Sequence, residues 1–308
     1  MKGLELSHTY FMTYGEQMIK DKFYSHRHKI AAGMAGEGSE CLGFDDPISR
    51  DHDWGPGFCL WLTDGDFDDI GRSLQQAYDK LPRVFMGFAR KAAALSDKKV
   101  GVFRITDFYT RFTGLPHAPE DKLQWLPLSD EYLCACTSGK VFCDPLGTFS
   151  NIRNTLLDFY PEDIRLFKIA AKCMTCAQSG QYNFMRSVKR GEVFAAAYAL
   201  NTFCSDIVSL VFLLNKKFVP FYKWKHRAVK ALGILGRQIH DDISQLLSAN
   251  EDMGKKSTIM ENMSARVITE IKHQGLSEAT GDFLLDHGCA VQQRITDTTL
   301  RNRSAWGG

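Results

Sequence analysis

After Tyr160-Pro161-Glu162-Asp163 the hydrophobic rhythm of the chain changes, and this change constrains the fold most. From Ile164 to about Arg294 apolar residues recur at helical spacing, with breaks near Ser179-Gly180, Phe218–Phe221, Ala249–Gly254 and Gly275. Five or so helices are expected there. Before that point the texture is mixed. A helix over residues 3–28 is followed by the buried-strand run Ile30–Gly36 and a turn-rich segment. A second strand at 58–63, a helix at about 67–81 and a third strand, VGVFRIT at 100–106, come next. Residues 115–150 read as irregular, with one further strand at Tyr132–Thr137. The expectation is an α+β chain: a mixed-sheet domain over 1–155 and an all-helical domain over 156–308.

At 308 residues the chain has room for one large or two modest domains. With 44% hydrophobic and 24% charged residues it is neither disordered nor a disulfide miniprotein. The net charge of +2 does not point to a protein that coats nucleic acid. Residues 1–150 hold 17 Lys and Arg against 21 Asp and Glu, and residues 151–308 hold 21 against 15. Nine cysteines and an N-terminus without a long apolar core fit reduced thiols in a cytoplasmic protein. Cys173-x-x-Cys176 has no second pair at zinc-finger spacing, and Cys134 and Cys136 sit as on one face of a strand. Val193–Leu214 is apolar but interrupted by Asn201, Ser205, Asp206 and Ser209, so a buried helix is expected and no membrane span.

The chemistry concentrates in Gly36 to Gly57, GEGSECLGFDDPISRDHDWGPG, with five glycines and two prolines. Gly38-Ser39 follows a buried strand, where a glycine lets backbone approach a ligand and N–H groups meet phosphate oxygens. Asp51 and Asp53 flank one residue; at strand period their carboxylates share a side and call for a hard divalent cation. The acidic cluster Asp64, Asp66, Asp68 and Asp69 fits the positive end of the helix that follows.

Gly38-Ser39, Gly43, Ser49 and Asp51-His52-Asp53 resemble the signature of the polymerase-β-like nucleotidyltransferase superfamily. The longer stretch GEGSECLGFDDPISRDHDWGPGFCLWL is similar to a bacterial nucleotidyltransferase-like family of unassigned function. The similarity runs on through Trp125-Leu126, Gly139–Phe142, Tyr160–Asp163 and Pro220–Trp224. The resemblance implies transfer of a nucleoside monophosphate from a nucleoside triphosphate, ATP first, to an acceptor hydroxyl. It implies Gly38 and Ser39 at the triphosphate and Asp51 and Asp53 on Mg²⁺ or Mn²⁺. Two departures stand out. Arg50 is inserted before the first acid, as a phosphate contact or an exposed side chain, and His52 takes an apolar place. A third acid is expected, with Asp107 the first candidate and Glu131 and Asp144 the others.

In the helical half, Lys223 opens a helix and is a candidate phosphate contact, against a reading of aromatic packing with an exposed lysine. Arg186, Lys189 and Arg190 form another basic group, and Glu192 and Asp206 share a helical face. Trp54 is placed to stack on a base or sugar. Three readings follow: a metal-dependent nucleotidyltransferase with an unknown hydroxyl acceptor, a non-catalytic nucleotide-binding or regulatory protein with a protein partner, and a metal-dependent phosphohydrolase.

Overall fold

The computed structural model describes residues 1–50, 53–90, 98–248 and 252–306. The chain divides into two compact units, Met1–Glu120 with Pro127–Asp158, and Asp121–Leu126 with Phe159–Gly308.

In the first unit, helical turns run from Gly3–Tyr10 through a π turn at Phe11–Gly15 to Glu16–Lys22, followed by a 3₁₀ turn at Tyr24–Lys29. Leu6, Tyr10, Phe11, Met18 and Ile19 are buried at helical spacing. Tyr10 and Phe11 pack on Phe58 with ring centroids 5.7 and 5.2 Å apart. The strands are β1 (Ala31–Met34), β2 (Cys59–Leu62), β3 (Val84–Phe85), β4 (Phe88–Ala89), β5 (Gly101–Arg104) and β6 (Lys140–Cys143). Four of them form a sheet in the order β5-β2-β1-β6, and β3 and β4 form a separate hairpin. β1 is antiparallel to β2 (Ala32 opposite Leu60) and to β6 (Gly33 opposite Val141), while β2 and β5 are parallel (Cys59 opposite Gly101).

The small residues of β1 are a packing requirement. A Cβ on Gly33 would stand 2.6 Å from the Lys140 carbonyl oxygen and 2.9 Å from the Trp61 ring. Trp61 is fully buried and stacks on Phe149 at 3.9 Å. Because β1 runs against β2 and β5, the end of β1 lies beside the starts of the other two. Whatever follows Met34 therefore meets whatever precedes Cys59 and Gly101.

Three expectations change. Tyr132–Thr137 is not a strand: Asp130–Thr137 is a helix burying Leu133, Cys136 and Thr137 at positions i, i+3 and i+4. The strand follows it, at Lys140–Cys143. VGVFRIT is strand only to Arg104, where the Ile105–Thr113 helix begins and buries Ile105, Phe108, Tyr109 and Phe112.

The second unit is helical. Glu162–Cys176 runs on through a π turn at Ala177–Phe184 into Met185–Lys189. The expected break at Ser179-Gly180 is this wider turn. A Cβ on Gly180 would come within 2.8 Å of the Phe203 ring, so the ring seats on bare backbone. Lys122–Trp125, Val193–Leu214, Tyr222–Val229, Gly236–Leu246, Met253–His273, Leu284–Gln293 and Thr298–Arg301 complete the unit's helices among the described residues. Val193–Leu214 is long and apolar enough by length and composition to cross a membrane, and 67% of its most apolar window is buried inside the protein.

Candidate functional site

The convergence of strand ends forms a cavity of about 290 Å³ in the first unit. Met34 to Gly38 supply one wall, Cys59 and Lys98-Lys99 another, and Asp107, Phe108, Arg111 and Phe112 of the Ile105–Thr113 helix a third. The turn after β1 starts at Gly36, whose φ of 125° a side chain would strain.

The cavity's most buried acid is Glu40, 5% exposed. A Cβ on Gly38 would overlap the Glu40 carboxyl group, and one on Gly3 would lie 2.6 Å from the Glu40 Cβ. Two glycines far apart in the chain thus make room for this one side chain. Burial pushes the Glu40 carboxyl above its ordinary range, Arg90 and Lys99 pull it down, and Asp45 adds to the rise. Sequence reasoning passed over Glu40; the one signal was an acid in a glycine turn directly after a buried strand.

Asp53 is placed otherwise than strand spacing implied. Its φ is 54°, a left-handed turn conformation that aspartate tolerates better than most residues. Arg90 holds this turn, donating to the carbonyls of Asp53 (3.2 Å) and Gly55 (3.0 Å). The Asp53 carboxylate lies 3.2 Å from Lys99 Nζ. Asp51 and His52 lie outside the described residues.

The other expected site residues scatter. Gly38 lines the cavity beneath Glu40, whereas Ser39 is not among the lining residues. Ser49 exchanges hydrogen bonds with Asp46 in a tight turn. Arg50 donates to the Met1 carbonyl at 3.0 Å and stacks over Trp54 at 4.3 Å. Trp54 is itself 4% exposed, so the ring expected to stack on a ligand is covered, with Arg50 on one face. Trp54 Nε1 donates to Asp45 Oδ2 (3.2 Å), as does the Gly3 backbone N–H (2.8 Å). Asp45 is a buried clasp between the first helix and the glycine-rich loop that sequence analysis did not single out.

Asp107 reaches the cavity from the first turn of its helix, with its side chain 73% exposed and 3.9 Å from Arg104 Nε. Asp144 accepts from the Gly147 and Ser150 N–H groups and so caps a helix start, and Glu131 sits in a helix first turn. The acidic cluster is tied to structure. Asp66 pairs with Lys29 and Asp68 with Arg104, each at 2.6 Å, and Asp64 accepts from Thr106 at 2.5 Å.

Carboxylate oxygens are the right donors for Mg²⁺ or Mn²⁺. As placed, however, Asp53 is engaged by Lys99, and Asp107 lies near Arg104. No group of three or more His, Cys, Asp or Glu side chains among the described residues is arranged to hold a metal ion. The described residues alone therefore do not fit a divalent cation.

In the second unit, Lys223 is exposed in the first turn of Tyr222–Val229, its Nζ 5.3 Å from the Trp224 ring. Asp206 pairs with Lys172 at 3.0 Å, and Glu192 precedes the helix rather than standing on it, so the two do not share a helical face as expected. Arg186 lies over the Tyr182 ring at 4.6 Å. Cys173 and Cys176 are fully buried in helix, and burial pushes both thiols up.

Residues 125–225 match the family model of a domain of unknown function, DUF4037. No curated protein matches the chain. A solved structure, a nucleotidyltransferase-like protein from Exiguobacterium sibiricum 255-15, is similar with a TM-score of 0.37 at 10% identity, over 85% of this chain and 77% of that one.

Proposed function

We propose that the first unit binds a nucleoside triphosphate, and that the protein transfers its nucleoside monophosphate to a hydroxyl of a small-molecule or protein acceptor with release of pyrophosphate. The observation that supports this best is the meeting, around one cavity, of the glycine turn after β1, the Lys98-Lys99 approach to β5 and the Asp107–Arg111 turn of the next helix. Three cations, Lys98, Lys99 and Arg111, and three acids, Glu37, Glu40 and Asp107, line a concave, largely apolar site, a combination suited to a polar ligand with a flat organic part. In this reading Ser39 and Arg50 contact phosphate on rearrangement, and Asp51 and Asp53 hold Mg²⁺ or Mn²⁺ once Lys99 releases Asp53. Nucleotide binding measured with and without Mg²⁺, on the parent and on Asp51→Asn with Asp53→Asn, tests it. Equal Mg²⁺-dependent binding by both proteins would remove the site assignment.

The Lys99–Asp53 contact favours a second reading, a nucleotide-binding or regulatory protein without turnover, because an ammonium stands where a cation would be needed. Pyrophosphate release across a panel of hydroxyl acceptors separates the two. Tight binding with no release on any acceptor, together with a co-purifying partner chain, supports the second.

A further inference from the structure

We propose that the cavity at the end of β1 is a base pocket selective for guanine, read by Glu40. The proposal rests on the nucleotide-binding reading and adds the identity of the base. Glu40 is 5% exposed and lines the cavity, and among the described residues no other residue donates a hydrogen bond to its carboxyl. Buried polar groups are ordinarily satisfied, so a carboxyl held this way is an acceptor waiting for N–H or O–H donors from a ligand.

The charges around it narrow the ligand. Lys99 is engaged by Asp53 at 3.2 Å and Arg111 by Glu37 at 2.8 Å. Lys98 is the remaining lining cation, folded over Gly101, where a Cβ would stand 2.7 Å from its Cε and 2.9 Å from its Nζ. Phe103, Phe108 and Phe112 supply aromatic wall. The volume of about 290 Å³ is at the lower end for ligand cavities, room for one heterocycle and not for a triphosphate as well.

A flat ring presenting two adjacent N–H donors beside an oxygen acceptor satisfies all of this. The Watson–Crick edge of guanine does so: N1–H and N2–H donate to the two carboxylate oxygens, and O6 accepts from the Lys98 ammonium. Adenine offers one N–H beside a bare ring nitrogen whose lone pair would face a carboxylate oxygen. A site built around an acceptor rejects the ligand that leaves it unpaired.

Equilibrium titration of GTP, ITP and ATP into the parent, Glu40→Gln and Lys98→Met tests the proposal. On the parent, GTP should bind about tenfold or more tighter than ATP, with ITP, which lacks the N2 amine, in between. Glu40→Gln should remove most of that difference while changing ATP affinity little, and Lys98→Met should weaken GTP and ITP alike. If Glu40→Gln does not fold, the order of the three nucleotides on the parent decides alone. Equal or tighter binding of ATP on the parent, or equal weakening of GTP and ATP by Glu40→Gln, overturns the proposal and leaves the nucleotide reading standing. No binding of any of the three to the parent overturns both.

Discussion

The Glu40 carboxyl occupies the place where a side chain on Gly38 would begin. The glycine that the resemblance assigns to the triphosphate packs its bare backbone against a carboxyl of the same turn. Gly38→Ala should therefore force Glu40 out of its seat and destabilise the protein by about 1–3 kcal/mol, the usual range for overpacking. Glu40→Ala vacates the same space, so the two substitutions should be strongly non-additive. Chemical denaturation of the two single variants and the double variant measures the coupling. Additive losses would mean that the two residues do not share this space.

Lys99 and Asp53 form the second relationship that decides the chemistry. With Nζ 3.2 Å from Oδ2, the lysine neutralises the acid that the resemblance assigns to a metal. Lys99→Ala should free that carboxylate and tighten Mn²⁺ binding by about tenfold, the scale of one charge-assisted contact. Asp53→Asn should abolish the gain. Mn²⁺ titration followed by electron paramagnetic resonance reads both, and unchanged affinity in Lys99→Ala would show that Asp53 is not a metal ligand.

The α+β class and the helical character of the second half were legible because they rest on local periodicity: Leu6, Tyr10 and Phe11 on one face, Ala31–Met34 as an unbroken buried run. The cavity was only half legible. The turn at Gly36 announces itself by an apolar run ending in glycine. Nothing local marks Glu40 as buried, because its seat is made by Gly3 and Gly38 together. Tyr132–Thr137 misled through its aromatic and Cys–x–Cys spacing, which suits a strand; the acids at Asp130 and Glu131 were the helix-start signal that outweighs it. Asp53 was read at strand period, whereas Arg90, from beyond the β3–β4 hairpin, folds its backbone into a turn.

The nine cysteines should separate sharply in reactivity. All are free, and Cys289 is the exposed one. Burial raises the thiols of the other eight, Cys59, Cys134, Cys136 and Cys204 to about 12. Since the thiolate is the reactive form, a disulfide reagent at neutral pH should modify one thiol per chain quickly and the rest only on unfolding. Cys289→Ser should remove the fast phase. A fast phase of two or more thiols would show that Cys134 or Cys143, each partly exposed, is more accessible than its surroundings imply.

Asp163 links stability of the helical unit to pH. Its carboxylate accepts from Lys122 Nζ at 2.6 Å, from the Thr296 N–H and hydroxyl at 2.9 and 2.8 Å, and from the Asp297 N–H at 3.1 Å. Burial alone would raise its pKa, but these donors outweigh it and bring the value from 3.8 down to about 2. A depressed carboxyl stabilises the folded state above its unfolded pKa, and that stabilisation is lost as pH falls through the folded one. The contribution, about 2 kcal/mol, is thus complete above pH ~5, declines from about pH 4 and is gone below about pH 2. Asp163→Asn should cost at least that much at pH 7, because Lys122 also loses its partner, and the gap between parent and variant should narrow on acidification. Urea denaturation of both proteins between pH 7 and pH 3 measures it. A gap that stays constant down to pH 3 would assign the loss to packing rather than to the charge.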